Sequence, residues 1–344
     1  MHLPPLHIRG LRIDPPLLLA PMAGVTHTVL RQIIAGFGGI GLLSTEMLGA
    51  KRLPVENSSI SPWLVRSDGE KPLSYQLLVA SAAELGPAID TLHKVKADAV
   101  DLNMGCPAPT VRKIGAGARL MEQPEQVRQI VAEARKRTEL PLTAKIRLGS
   151  ELDERKLASF CVMLQDEGID MISVHARLKQ ESFARKPRWE PIASLKQALS
   201  IPVIANGGIF TVDDAEQCLR VSGADGLMLG RGAAIQPWLF AQIAGRVMGR
   251  DIDEPLVSLP DLYGKFIDLL VGSFRPEYRL GRLKEFTHYF ARNYPFGHHL
   301  ASRVQSSETV EEARERAAVF FETVHGADTG VASGMQEGAS LTQE

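Results

Sequence analysis

Cysteine is scarce: only Cys106, Cys161 and Cys218 occur in 344 residues. They lie far apart with no C-x-x-C pair, so neither a disulfide framework nor a zinc site is suggested. A reducing cytoplasm is the simplest setting. Adjacent His298 and His299 cannot point together as i, i+4 ligands would, and no metal is expected. No uncharged run of about 18 residues appears, which argues against a membrane span. The opening MHLPPLHIRGLRIDPPLLLAPMAG lacks the basic segment and long apolar stretch of a signal peptide. Charge of one sign is lacking too. Lys+Arg 39 against Asp+Glu 40 leaves any nucleic-acid contact to a local patch.

What is present is an ordinary globular composition, 44% hydrophobic and 23% charged, able to bury a sizeable core. Short apolar runs recur at Leu17–Ala23, Ile40–Met47, Leu73–Val79, Ala99–Met104, Leu142–Leu148, Met171–Ala176, Pro202–Gly207 and Gly226–Gly230. Their near-continuous hydrophobicity suits strands buried on both faces. Helical segments are expected between them at Ser81–Lys94, Pro124–Arg137, Glu154–Glu167 and Val212–Val221. Pro124 suits a first helical turn, and Thr211 suits a cap. Eight alternations point to an α/β fold, a (β/α)8 TIM barrel, with a doubly wound open sheet as the competitor. Polar or glycine residues end almost every run, and in a barrel these ends converge on one mouth. The expected barrel domain is 1–248. Asp251–Pro260 is acidic and proline-marked and reads as a linker. A smaller all-helical domain, 261–325, follows, with helices at Leu262–Phe274, Arg279–Arg292 and Thr309–Val324. The tail 327–344 lacks large apolar residues and is expected to be disordered. Oligomeric state is not legible; a monomer is the working expectation.

Two glycine turns, "IPVIANGGI" and "GADGLMLGRGA", end the seventh and eighth runs, where barrels commonly bind phosphate. Arg231 adds a charge-assisted donor. Lys145 lies inside a buried run, where an unpaired ammonium is costly; it should meet an anion at the mouth, or else pair with Glu46 or Asp101. His175, Gln76 and Asn206 share that mouth. The small residues Pro21, Met22 and Ala23 would let a planar ring lie against backbone. Cys161 and Cys218 read as core packing. Cys106 instead opens a glycine-containing loop beside Arg112, Lys113 and Arg119. It could be a nucleophile, a redox thiol or a proton donor.

"APMAGVTH", "STEM", "DLNMGCPAP" followed by "GAGARLM", "KIRLG", "VHAR", "IPVIANGGI" and "GADGLMLGRGA…PWLF" occur in that order. Together they resemble the dihydrouridine synthase family, flavin enzymes that reduce uridine in tRNA, with the bacterial B-type branch most similar. The resemblance implies bound FMN and NADPH as reductant. Matched position by position, it implies flavin contacts from Pro21, Met22, Ala23, Gln76, Lys145, His175, Asn206, Gly207, Gly208, Gly230 and Arg231. It makes Cys106 the general acid that protonates C5 of uracil after hydride reaches C6, with Asn103 and Arg177 as uracil contacts. The target base must be extruded from folded RNA. A cationic path for tRNA is expected along Arg275, Arg279, Arg282, Lys284, Arg292 and Arg303, and along Arg177, Lys179, Arg185, Lys186 and Arg188. Departures from the family pattern are His27 after "GVT", "HAR" for a frequent "HGR", and "NGG" for a frequent "NGD". Two rivals stand beside this expectation: a flavin barrel acting on a small pyrimidine, and a non-catalytic RNA-binding factor. NADPH is not distinguished from NADH by any G-x-G-x-x-G motif.

Overall fold

The eight apolar runs become eight parallel strands: β3 (Leu17–Leu19), β4 (Leu43–Gly49), β5 (Leu73–Leu78), β6 (Ala99–Met104), β7 (Leu142–Arg147), β8 (Met171–His175), β9 (Val203–Asn206) and β10 (Gly226–Leu229). They follow a hairpin of β1 (Leu6–Ile8) and β2 (Leu11–Ile13). The computed structural model describes residues 3–57 and 60–334, side chains of 325–334 excepted.

Strand order is β3-β10-β9-β8-β7-β6-β5-β4. A parallel bridge between Leu18 and Leu42 joins the two ends into a barrel, reinforced where the Leu19 amide donates to the Leu42 carbonyl at 2.9 Å. Hairpin residues Leu6, Ile8 and Ile13 pack with Leu18, Leu42, Met171, Ile204 and Met228, plugging the end where the strands start and leaving the other end as the mouth.

Around the strands lie α1 (Thr28–Phe37), α2 (Leu85–Lys94), α3 (Pro109–Lys113), α4 (Pro124–Arg137), α5 (Glu154–Asp166), α6 (Glu190–Ala198), α7 (Val212–Ser222), α8 (Arg231–Ile235) and α9 (Leu239–Arg246). Local chemistry sets their ends. Pro124 occupies the first turn of α4, and Val127, Ile130, Val131 and Ala134 bury one face. Thr211 and Asp214 form a reciprocal capping box on α7, which stops at Gly223 in the left-handed region.

The chain divides into two compact units, 1–255 and 256–344. The second holds α10 (Leu259–Ser273), α11 (Arg279–Phe290), α12 (Gly297–Gln305) and α13 (Val310–Gly334). Its core is aromatic: Phe266 and Phe286 stack with centroids 3.7 Å apart, and the Tyr263 hydroxyl meets Thr287 Oγ1 at 2.7 Å. Helix α13 runs through 327–334 without a proline to stop it, so that part of the expected disordered tail is helical. Residues 335–344 of the tail lie outside the described residues.

Candidate active site

Parallel register decides which mouth residues face one another. Gln76 is level with Asp101, Asp101 with Thr143 and Asn103 with Lys145. Arg147 is level with His175, and His175 with Asn206. Residues two apart on a strand share a face, so Asp101 and Asn103 form one pair and Lys145 and Arg147 another.

A relay of side chains begins at Thr143. Its hydroxyl donates to Asp101 Oδ1 (2.6 Å), and Asp101 Oδ2 accepts from Gln76 Nε2 (2.6 Å). Gln76 Oε1 accepts from Asn103 Nδ2 (2.8 Å). Asn103 Oδ1 then accepts from the backbone amides of Gly105 (3.1 Å) and Cys106 (3.0 Å). In its ionised form Asp101 would only accept, which orients each amide beyond it in these directions. Burial pushes the Asp101 carboxyl above its usual range, against the hydrogen bonds of Thr143 and Gln76 and the charge of Lys145.

Cys106 is half-buried at the head of the loop after β6. Its carbonyl accepts from the Ala118 amide at 2.9 Å. Gly117 has φ +66°, and a Cβ there would stand 2.6 Å from that same carbonyl oxygen, so the loop closes over the cysteine only with glycine. Cys161 and Cys218 are buried in α5 and α7, where burial pushes both thiols up to about 12.

Four cations converge on the mouth. Lys145 is half-buried and makes no ion pair among the described residues; Asp101 is committed to Thr143 and Gln76, and Glu46 accepts from the Gly24 amide at 2.7 Å. Burial presses the Lys145 ammonium down to about 8; Asp101 and Cys106 pull it upward while Arg147 adds to the depression. His175 is kept neutral by burial first, then by Lys145, Arg147, Arg177 and Arg231. Arg177 Nη1 lies 3.1 Å from His175 Nε2. A guanidinium only donates, so Nε2 accepts and the ring proton sits on Nδ1.

Glycine turns and arginine meet at the ends of β9 and β10. Asn206 Nδ2 donates to the Met228 carbonyl (2.7 Å), tying these strands together. Gly207 has φ +107°, and a Cβ there would fall 2.6 Å from His175 Cδ2. Gly208 follows it, and Gly230 precedes α8, which starts at Arg231. The Arg231 guanidinium lies over Phe183 (4.5 Å) and Phe210 (5.1 Å). After β3, Thr26 Oγ1 accepts from the Met22 amide at 3.0 Å; Pro21 and Met22 lead into a turn that begins at Ala23, where the Val25 amide donates to the Met22 carbonyl at 3.2 Å. The Met22 sulfur approaches Gly230, 3.2 Å from where a Cβ would be.

Two expected uracil contacts have other partners. Arg177 is 2% exposed, and its Nε and Nη2 donate to the Arg185 carbonyl. The Asn103 amide is engaged at both ends by the relay. In the second basic stretch Lys179 pairs with Glu122, and Arg185 and Arg188 share the single carboxylate of Glu181. That carboxyl is pulled down to about 2, chiefly by the Arg188 hydrogen bond. In the helical unit, Arg279 donates to the Phe274 and Val271 carbonyls, and Arg282 donates to the Tyr278 carbonyl. Lys284 lines a groove of about 470 Å³ with His288, Ser302 and Gln305. Sequence reasoning missed Asp101 and Thr143 as relay members, as well as Arg147, Glu181, Phe183 and Phe210.

The family model described as dihydrouridine synthase matches residues 18–324, a span that enters both units. The chain is 36% identical over 245 residues to a probable tRNA-dihydrouridine synthase of Rhodobacter capsulatus, covering 70% of this chain and 74% of that one. It is 33% identical over 312 residues to the tRNA-dihydrouridine(16) synthase of Aquipseudomonas alcaligenes, covering 88% and 98%. A solved 2-naphthoyl-CoA reductase has a TM-score of 0.54 at 12% identity, covering 72% of this chain and about half (52%) of its own, a likeness of fold alone. With its barrel, its mouth cysteine and a match across nearly the whole chain, the protein belongs to the dihydrouridine synthase family of oxidoreductases.

Proposed function

We propose that this protein reduces a uridine of tRNA to 5,6-dihydrouridine, with FMN bound in the barrel mouth and NADPH as reductant. One observation carries the reading: a half-buried thiol and an ammonium without an ion pair among the described residues share that mouth.

The chemistry of the residues fits a flavin nucleotide. Lys145 offers an uncommitted positive charge to an electron-rich ring edge. His175, neutral with its Nε2 filled, leaves Nδ1–H as a donor. Gly207 and Gly230 stand where a Cβ would crowd His175 and Met22, and Gly208 and Arg231 extend this floor toward a phosphate. Pro21, Met22 and Ala23 would back the ring system, and Gln76 and Asn206 would border it. Bound in reduced form, the flavin would supply hydride to C6 of an extruded uracil. Cys106 then gives its thiol proton to C5; the S–H bond breaks as the C5–H bond forms, and solvent reprotonates the sulfur. Pinning of the Cys106 amide by Asn103 keeps the thiol in place for that transfer.

Relatives named for position 16 match over as much as 88% of this chain. That share exceeds what 1–255 can supply, so their likeness extends into the helical unit. Uridine 16 is accordingly the position to examine first, with Arg279, Arg282 and Lys284 as the proposed contacts to the RNA backbone.

Cys106→Ala tests the reading. Loss of a general acid removes on the order of 10²–10⁴ in rate. Dihydrouridine mapped along tRNA should fall at least about 100-fold while the yellow cofactor stays bound. An unchanged rate would refute the acid role, and turnover of free pyrimidines with indifference to RNA would refute the substrate.

A further inference from the structure

We propose that Arg147 is a positioning residue for the Cys106 acid, an inference that rests on the function proposed above. Its guanidinium bridges the peptide just before the thiol to the loop after β8 and so brings a positive charge to the residue preceding Cys106.

Arg147 ends β7 and is 2% exposed. A buried guanidinium is expected to pair with a carboxylate, yet Arg147 makes no ion pair among the described residues. Its donors go to two carbonyls on different loops. Nε donates to Gly105 O at 3.0 Å, one residue before Cys106, and Nη1 donates to Leu178 O at 2.9 Å. The carbonyls satisfy two of the five N–H donors, the Phe183 ring faces the guanidinium at 5.7 Å, and no carboxylate among the described residues is paired with the charge. Around it stand Lys145, His175, Arg177 and Arg231, and Glu181 faces the same region but is taken up by Arg185 and Arg188. Cys106 is the other group of opposite potential charge within electrostatic reach of Arg147.

The peptide around the sulfur is therefore held at three points. Asn103 takes the Cys106 N–H, Ala118 donates to its C=O, and Arg147 takes the C=O of Gly105. Of these only Arg147 carries charge, and only it reaches the β8 loop. A second tie joins the same two loops, the Lys179–Glu122 pair, so the join does not hang on Arg147 alone. Its distinctive contribution is electrostatic. When Cys106 passes its proton to C5, negative charge appears on sulfur, and a preorganised cation nearby stabilises it without reorganisation.

The test uses full-length Arg147→Met and Arg147→Lys beside the parent. Three readouts are taken: iodoacetamide alkylation of Cys106 at fixed neutral pH, flavin absorbance, and kcat against KM for tRNA. Cys161 and Cys218 are buried, and a Cys106→Ala control subtracts any label they take. The methionine variant should alkylate about tenfold more slowly and lose about tenfold or more in kcat. Its KM should stay within about twofold, and the lysine variant should recover most of both losses by restoring charge. Parental alkylation and kcat in Arg147→Met would overturn the proposal. So would equal losses in both variants accompanied by loss of flavin, the pattern of a purely structural role. If Arg147→Met does not fold, Arg147→Lys decides: alkylation within about threefold of the parent supports the role of charge, and a larger loss overturns it. If the parent itself makes no dihydrouridine, the functional reading falls, while the alkylation series still reports on Arg147.

Discussion

Lys145 gives the sharpest thermodynamic test of the mouth. Without a bound anion, its ammonium feels Arg147 as a like charge, with Asp101 and Cys106 as the opposing groups. Burial lowers it from 10.5 to about 8. At 1.36 kcal/mol for each pH unit, that gap corresponds to about 3 kcal/mol. Between pH 8 and 10.5 the unfolded chain holds a proton on this lysine that the folded chain has released, so stability rises with pH across the window. The penalty is fully present below pH 8 and is gone by about 10.5. Lys145→Met removes it at every pH. In flavin-free protein, urea unfolding of the barrel should show Lys145→Met gaining on the parent by up to about 3 kcal/mol at pH 7, with that advantage fading through the same window. Titrating groups that do not feel Lys145 cancel in the difference, and placing Cys106→Ala in both proteins removes the coupled thiol. A difference that stays flat from pH 7 to 10.5 would show that the ammonium is well solvated or already paired, and the argument for an anion beside it would collapse.

Two further perturbations probe the relay and the glycine floor. Asp101→Leu strands the Gln76 amide and the Thr143 hydroxyl, each costing about 1–3 kcal/mol when buried without a partner. It should destabilise flavin-free protein by roughly 2–6 kcal/mol in urea, whereas Asp101→Asn, which still offers an acceptor to Gln76, should lose far less. Gly207→Ala combines a left-handed backbone, worth about 1–2 kcal/mol, with a Cβ 2.6 Å from His175. Gly249, with φ +65° and nothing within 4 Å of its Cβ position, is the control: both alanines should lower stability, but only the one at 207 should lower flavin content on purification.

The barrel strands were legible because both faces of each are buried, so unbroken apolar runs and strands coincide within a few residues. Where they differ, a local cause is visible. The run Leu17–Ala23 stops being a strand at Leu19, ahead of Pro21, which has no amide to give. The run beginning at Ile40 becomes regular strand only at Leu43, since Gly38 and Gly39 first turn the chain at positive φ. The β1–β2 hairpin went unseen, its strands being three residues each. Its one signal is the Arg9-Gly10 turn, with both residues at positive φ. Helix α12 went unseen as well, because Gly297 and adjacent histidines give a weak helical pattern.

The site was legible as a set of residues at one mouth, but not as a set of bonds. Asn103 and Arg177 are where the sequence puts them, yet each offers donors to whichever acceptor lies closest. Those acceptors are fixed by the fold: the Gln76 carbonyl for Asn103, the Arg185 carbonyl for Arg177. The basic stretch after β8 reads from the sequence as a run of five cations; that the folded loop gathers Arg185 and Arg188 around the single carboxylate of Glu181 is a pairing the linear order does not reveal. Arg147 is the omission that alternation could have prevented. Thr143, Lys145 and Arg147 step by two along β7 and must share a face, so the logic that turns Lys145 toward the mouth applies equally to its neighbour. A buried lysine invites the question of which anion it meets. A buried arginine two residues on, hydrogen-bonded to carbonyls and with no ion pair among the described residues, asks it again one residue from the cysteine.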